Sequence, residues 1–124
     1  MVTCQHVAFF SLDLEATKSF FQELLGLEVA NYDPEHGLLV FGLAEGFVLR
    51  FERTTESVGC PGLRFVGLEF SSFDEVDALF EGVSSAAPIL ADMRERYRDR
   101  RGPYGFVIED PNGYRFKIFK YNGG

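Results

Sequence analysis

The chain has 124 residues, of which 46% are hydrophobic and 15% are aromatic, and its formal net charge is −7. This size suits one compact domain or two small packed modules, and the acidic balance argues against nucleic acid or an anionic membrane as a general partner. No apolar run approaches the roughly 20 residues that a membrane span needs, and the N-terminal residues lack the layout of a secretory signal. With two cysteines, Cys4 and Cys60, we expect reduced thiols and a cytoplasmic location, with a single disulfide as the alternative.

The first half of the chain predicts a strand, a helix and three more strands. Alternation along the first strand places His6 and Phe10 on one face. Asp13 is a suitable N-cap for the helix, whose apolar residues recur at helical spacing. In the fourth strand, Arg50 and Glu52 share a face. The predicted elements are strands over residues 5–11, 27–30, 38–43 and 47–53 and a helix over 14–25.

The second half repeats this order after a polar, Gly- and Pro-rich linker over residues 54–62. Ser72 and Glu75 form a capping box at the start of its helix, and Phe65 and Glu69 share a face of the strand before it. The two helices align at an offset of 59 residues, which predicts one domain of two βαβββ modules, module one over 1–53 and module two over 63–124. The predicted elements are a strand over 63–71, a helix from residue 73, and strands over 87–91, 106–109 and 114–121.

The segment Asp110-Pro111-Asn112-Gly113 predicts a tight turn before the final strand. Proline presets φ at the first central position, and Asn-Gly supplies the positive φ that hairpin turns need. In the strand that follows, Arg115, Lys117 and Phe119 occupy alternate positions. One face of this strand is therefore expected to carry two cations and an aromatic ring.

Three stretches of the sequence occur in a distinctive order. They are His-Val-Ala-Phe-Phe-Ser-Leu-Asp-Leu-Glu-Ala-Thr-Lys-Ser-Phe-Phe at the start, then Leu-Gly-Leu-Glu-Val, and Asp-Pro-Asn-Gly near the end. Together they resemble the vicinal oxygen chelate superfamily, which includes glyoxalase I, extradiol dioxygenases and bleomycin-binding proteins. The resemblance implies an α+β fold in which two βαβββ modules form a curved mixed β-sheet cup around a ligand pocket, the glyoxalase/bleomycin resistance/dioxygenase fold. It also implies a homodimer, since dimers are frequent in this superfamily.

The resemblance further implies four positions for metal ligands, taken from the first and last strands of each module. In this sequence they are occupied by His6, Arg50, Phe65 and Lys117. At the last position the metal-dependent members have a glutamate. A divalent ion at an enzyme site needs three or four N or O donors within about 2.0–2.2 Å, and of these four side chains only His6 can donate a lone pair. We therefore expect a member of the family that has lost its metal and uses no cofactor.

Glu52 and Glu69 leave two alternatives open. Because they share faces with two of these positions, they could rebuild a metal site with His6, although strand residues two apart differ by roughly 6–7 Å. They could instead neutralise Arg50 and Lys117, which would be unfavourable to bury unpaired. The other means of neutralising these cations is an anionic or polar ligand.

His6 and the aromatic rings each have a structural role as the alternative to a functional one. His6 is either a partly buried histidine at a strand edge or a hydrogen-bonding or proton-transfer group in the pocket, where its ordinary pKa near neutrality would be useful. Phe65 and Phe119 either fill the core or line the apolar wall of a ligand pocket.

The segment from Met93 to Arg101 contains five of the 12 basic residues. Glu95 and Asp99 interleave with them and partly cancel their field, which favours a solvated loop or a short helix. The alternative is a rim that grips phosphate or carboxylate groups, since arginine binds such groups in a bidentate manner. In that case residues 102–105 could act as its hinge.

These observations favour a metal-free protein that binds a small aromatic or anionic molecule, as bleomycin-binding proteins do. The alternative is a metal-dependent glyoxalase-like lyase or dioxygenase that uses His6 with Glu52 or Glu69. A third hypothesis is a domain for assembly or regulation, which Arg–Glu pairs closing the cup would favour. The ligand-binding candidates are His6, Arg50, Glu52, Phe65, Glu69, Lys117 and Phe119.

Overall fold

A computed structural model of the chain describes residues 1–56, 58 and 62–124. They belong to two compact units, Met1–Gly59 and Cys60–Gly124, which contain the predicted module one and module two respectively. Cys60 and part of the predicted linker lie outside the described residues. In the described part of the chain, no helix is long and apolar enough to cross a membrane.

In its described residues, module one contains a four-stranded mixed sheet, a helical segment and a short 3₁₀ helix, Ala44–Gly46. Its elements are β1 (His6–Ser11), α1 (Leu14–Ser19), β2 (Glu28–Asp33), β3 (Leu38–Gly42) and β4 (Val48–Arg53). The strand order in the sheet is β1-β4-β3-β2, in which β1 is parallel to β4 and the other neighbours are antiparallel. After α1 the chain continues as a π-helical segment, Phe20–Leu24, so the helical region matches the one that the apolar spacing predicts.

The core of module one is built from phenylalanine rings. Phe21, Phe41 and Phe51 are fully buried, and the Phe21 ring centroid lies 5.4 Å from that of Phe41 and 5.3 Å from that of Phe51. Burial of each such ring contributes about 1.5–3 kcal/mol. Because strand side chains alternate between faces, this packing leaves His6 and Arg50 on the opposite face of the sheet.

Module two repeats the arrangement and adds one short helix. Its elements are β5 (Val66–Glu69), α2 (Phe73–Val83), β6 (Ile89–Asp92), α3 (Arg94–Tyr97), β7 (Gly102–Glu109) and β8 (Arg115–Asn122). The strand order is β5-β8-β7-β6, with β5 parallel to β8 and the other neighbours antiparallel. The predicted α+β fold of two βαβββ modules is confirmed.

Alternation in β8 separates a buried face from a more exposed one. Phe116 and Ile118 are fully buried, whereas Arg115 is exposed and Lys117 and Phe119 are half-buried. The predicted face with two cations and a ring is therefore confirmed.

Side-chain caps determine where α1 and α2 begin. Asp13 Oδ1 accepts a hydrogen bond from the backbone N–H of Ala16 at 3.1 Å, and Ser72 Oγ accepts one from Glu75 at 3.1 Å. Each cap satisfies a backbone donor that has no partner inside the helix. The two caps are 59 residues apart, as the internal repeat predicts.

Two strands of module two differ in length from their predictions. β5 is shorter than predicted, whereas β7 begins at Gly102, so residues 102–105 are strand and the predicted hinge is wrong. Gly105 pairs with Phe119, and a Cβ at this glycine would lie only 2.0 Å from the carbonyl oxygen of Ile118. The glycine therefore permits a close approach between two strands instead of providing flexibility.

A buried carboxyl group holds the turn before β8. The Asp110 side chain accepts hydrogen bonds from the backbone N–H groups of Asn112 (3.0 Å) and Tyr114 (2.8 Å) and from the Asn112 amide (3.1 Å). Burial disfavours the charged form and raises the pKa of Asp110 to about 6, although these hydrogen bonds oppose the rise.

The raised pKa of Asp110 predicts a pH-dependent stability. The folded state binds this proton more tightly than the unfolded state, so the stabilisation is complete below the unfolded pKa of 3.8 and is lost as the pH rises through about 6. We expect the free energy of unfolding of the wild type, relative to Asp110→Asn, to fall by about 1–3 kcal/mol between pH 4.5 and 7.5. Urea unfolding followed by circular dichroism measures this difference, with the exposed Asp99→Asn as the control. A difference that stays constant over this range contradicts the prediction.

Candidate functional site

Module two contains a cavity of about 370 Å³ bounded by its sheet and α3. Ligand pockets generally combine apolar walls with a few placed polar groups. Here the lining is aromatic, aliphatic or cationic, and none of its residues is acidic. They are the cations Arg64, Arg96, Arg115 and Lys117, the rings Phe65 and Tyr97, and Leu90, Ala91, Met93 and Val107.

Strand pairing places Lys117 in the middle of the cavity floor. Lys117 pairs with Gly67 on β5 and with Val107 on β7, and Val107 pairs in turn with Ala91 on β6. Residues paired directly across a sheet project from the same face. The lysine side chain therefore extends from a row of small and apolar residues.

Two aromatic rings contact the Lys117 ammonium group. Nζ lies 4.4 Å from the ring centroid of Phe65 and 5.4 Å from that of Phe119. Gly67 leaves room for this arrangement, because a Cβ there would lie 3.2 Å from the Phe119 ring. Such cation–ring contacts contribute about 0.5–1 kcal/mol at exposed sites. Three of the predicted ligand-binding residues are thus brought together, although Phe119 is not part of the cavity lining.

Glu69 does not neutralise Lys117, contrary to one of the two sequence-based alternatives. Its Oε2 accepts a hydrogen bond from the backbone N–H of Tyr121 at 2.9 Å and lies 3.8 Å from Nζ of Lys120. The β5–β8 register explains why Glu69 does not contact Lys117, since Glu69 pairs with Phe119. Within the described residues, Lys117 forms no ion pair.

Arg94 anchors α3 to α2 and β6. Its Nη1 donates to Asp77 at 3.0 Å, its Nε donates to Asp92 at 3.0 Å, and its guanidinium carbon lies 3.8 Å from the Phe80 ring centroid. Tyr104 donates its hydroxyl proton to the same Asp77 oxygen at 2.7 Å. The hydrogen bond from Arg94 lowers the pKa of Asp92, and burial raises the pKa of Tyr104. One wall of the cavity is thereby held in place.

Arg96 lies two residues further along α3 and faces the cavity. Residues two apart in a helix point in widely different directions, because each residue turns the helix by about 100°. Tyr97 lines the cavity beside it, and its carbonyl oxygen accepts a hydrogen bond from the Asn122 side chain at 2.8 Å. The predicted short helix is confirmed, whereas a rim that grips phosphate or carboxylate groups stays a prediction, because Arg96 alone of the five basic residues of this segment lines the cavity.

Three cavity arginines were not among the ligand-binding candidates. Arg115 follows from the alternation that placed Lys117 on this face. Arg64 precedes β5, so strand alternation does not determine its direction, and no local pattern marks it. The sequence does not show that Arg96 lines the cavity while Arg94 anchors α3, because that difference depends on which residues each side of α3 contacts.

His6, Arg50 and Glu52 lie on one face of the sheet in module one, as predicted. His6 is exposed, with Nδ1 2.6 Å from Oε1 of Gln5, so the prediction of a partly buried histidine is wrong. Among the residues that the structure describes, Arg50 forms no ion pair. The alternative in which Glu52 neutralises Arg50 is therefore not observed. A ligand-binding role for these three residues stays a prediction.

The candidate ligands that the structure describes do not fit a metal site. Glu52 on β4 pairs with Phe10 on β1, and Phe10 lies four residues after His6 on that same strand. The side chains of His6 and Glu52 are therefore about 13 Å apart along the strand direction. Ligands to one ion must lie within about 2.0–2.2 Å of it. In the described ranges, no group of three or more His, Cys, Asp or Glu side chains could hold a metal. Among the described residues, the ligand set that the alternative lyase or dioxygenase requires is therefore not observed.

Comparison with known proteins gives one family and a set of similar folds. The model of the Glyoxalase/Bleomycin resistance protein/Dioxygenase superfamily matches residues 3–118. A lactoylglutathione lyase from Agrobacterium tumefaciens is 21% identical with a TM-score of 0.72, over 95% of this chain and 92% of that one. A glyoxalase/dioxygenase from Nostoc punctiforme is 18% identical with a TM-score of 0.75, over 97% of this chain and 91% of that one.

A third similar structure is a glyoxalase/bleomycin resistance protein/dioxygenase from Nocardioides. It is 20% identical with a TM-score of 0.62, over the whole of this chain and 86% of that one. At these identities the structural likeness establishes a shared fold and nothing about the reaction. No curated protein matches the chain significantly.

Proposed function

Because the chain belongs to the Glyoxalase/Bleomycin resistance protein/Dioxygenase superfamily, we propose that it is a metal-free binding protein for a small anionic molecule. The ligand occupies the cavity of module two, with its anionic group near Lys117 and its apolar body against Phe65. The lining contains no carboxylate, imidazole or thiol, and the proton-transfer groups that it does contain are those of Lys117 and Tyr97. Binding without turnover is therefore the function that these residues support best.

The contact between Lys117 and Phe65, in a cavity whose charged groups are all cationic, carries this proposal. Metal-dependent members of the superfamily have a glutamate and an ion where this chain has a fixed ammonium group. The ammonium group of Lys117 thus provides positive potential at this position without a metal ion. Nine of the 12 Lys and Arg residues belong to residues 62–124, although the whole chain carries a net charge of −7. A local cationic cavity in an acidic protein attracts anions selectively.

The cavity walls define what accompanies the anionic group. Phe65 offers one flat ring, and Leu90 and Val107 offer aliphatic surface. A flat aromatic or aliphatic body can bury against these groups at about 25 cal/mol per Å². A cationic ligand is disfavoured, since it would meet only like charges.

The test is a calorimetric titration with benzoate in the presence of a metal chelator. We expect benzoate to bind the wild type and to bind Lys117→Met about tenfold more weakly, because losing one charged partner removes about 1.5 kcal/mol. Neutral benzamide should give no measurable heat. The matched control is Lys120→Met, which removes the same charge from the same strand outside the cavity lining.

Two results would refute the proposed function. One is a benzoate affinity that Lys117→Met leaves unchanged. The other is binding that appears only when a divalent metal is added back.

A further inference from the structure

Two cations of the cavity contact the same aromatic ring. Nζ of Lys117 lies 4.4 Å and the guanidinium carbon of Arg64 lies 5.3 Å from the ring centroid of Phe65. The two charges are therefore no more than about 10 Å apart, which is the Debye length at an ionic strength of about 0.1 M. Salt screens their repulsion only in part, and neither cation has a carboxylate partner among the described residues.

A third cation lies on the same floor. Arg115 is two positions from Lys117 on the same face of β8, a spacing of roughly 6–7 Å along the strand. Glu109 pairs with Arg115 across the β7–β8 ladder, yet the two side chains form no ion pair within the described ranges. The cations around Phe65 therefore form no ion pair with a carboxylate in the described part of the chain.

A ligand with one negative charge would offset only one of these cations. Guanidinium groups bind phosphoryl and carboxylate oxygens through paired hydrogen bonds, and an ammonium adds a point charge. A compact group with two negative charges can engage Arg64 and Lys117 together, while an attached flat body packs on Phe65.

Building on the proposed function, we infer that the ligand carries a compact dianionic group, which lies between Arg64 and Lys117 at Phe65. A phosphoryl group and a pair of adjacent carboxylates share this chemistry. The inference specifies the charge and the placement of the ligand head, which the proposed function leaves undefined.

The experiment compares three probes with the same ring, phenyl phosphate, phthalate and benzoate, by calorimetric titration at pH 8, where the phosphate is fully dianionic. We expect phenyl phosphate or phthalate to bind at least about tenfold more tightly than benzoate. The probe that shows the preference identifies the dianion as phosphoryl or dicarboxylate. In Arg64→Met this preference should shrink to about twofold, because one of the two charge partners is gone.

The control is Arg100→Met, which removes an exposed charge outside the cavity lining and should keep the wild-type preference. Equal affinity for all three probes, each weakened by Lys117→Met, overturns the dianionic head and leaves the proposed function standing. A dianion preference that Arg64→Met does not reduce overturns the placement of the head. If no probe binds in a way that depends on Lys117, the proposed function fails as well.

Discussion

Replacing Lys117 by glutamate should weaken the binding of phenyl phosphate by at least about thirtyfold, equivalent to roughly 2 kcal/mol. The substitution removes the central cation of the cavity floor and puts a negative charge against the ligand head. Its neighbours across the sheet, Gly67 and Val107, offer no compensating donor. Calorimetric titration of the variant and the wild type measures the loss.

The same variant tests whether this site can hold a metal ion. Lys117→Glu restores the glutamate of the metal-dependent members, but Phe65 beside it cannot ligate an ion. We therefore expect no stoichiometric nickel, zinc, manganese or iron after dialysis, as measured by elemental analysis. Lys120→Glu, with the same charge change outside the cavity, should bind phenyl phosphate nearly as the wild type does. Stoichiometric metal in Lys117→Glu would contradict this account of the site.

Gly105→Ala should destabilise module two by about 3 kcal/mol or more. A Cβ at this position would lie 2.0 Å from the carbonyl oxygen of Ile118 and 2.6 Å from Cβ of Phe119. Both strands are fixed there, because the carbonyl oxygen of Gly105 also accepts a hydrogen bond from Met93 at 2.8 Å. The paired backbones must move apart, which is more unfavourable than a shift of a flexible side chain. Urea unfolding followed by circular dichroism measures the change.

Gly82→Ala is the matched control for this substitution. Gly82 lies in α2, where an added Cβ would meet no atom within 4 Å. Alanine in a helix interior is favoured over glycine by about 0.5–1 kcal/mol, so this variant should be slightly more stable. An unfolding midpoint for Gly105→Ala equal to that of the wild type would show that the strands do not approach as described.

The sequence predicts those parts of the fold that depend on local chemistry. Asp13 and Ser72 mark the starts of α1 and α2, since a cap acts within three residues of its own position. Alternation in β8 predicts the exposed face with Arg115 and Lys117, because one face of the strand is buried.

Features that depend on contacts between residues far apart in the sequence could not be predicted from local patterns. The turn-like composition of residues 102–105 predicted a hinge. In the structure, position 105 requires glycine because the carbonyl oxygen of Ile118, 13 residues away in the sequence, lies too close for a Cβ. Similarly, the run of arginines suggested cancellation by Glu95 and Asp99. Arg94 instead pairs with Asp77, 17 residues earlier.

The candidate site was predicted in part for the same reason. The resemblance to a metal-binding family directed attention to Lys117 and Phe65, which the structure places in contact. It gave no indication of Arg64 or Arg96, since neither occupies a ligand position of that family. The homodimer and the cytoplasmic location stay predictions.

The central claim is that an anion binds in the cavity of module two without a metal. The most direct test is a titration of ¹⁵N-labelled protein with phenyl phosphate in the presence of a chelator, followed by amide chemical shifts. We expect saturable shifts concentrated at residues 64–67, 90–97, 107 and 115–117. No saturable shifts in these segments, or shifts confined to the sheet of module one around His6 and Arg50, would contradict it.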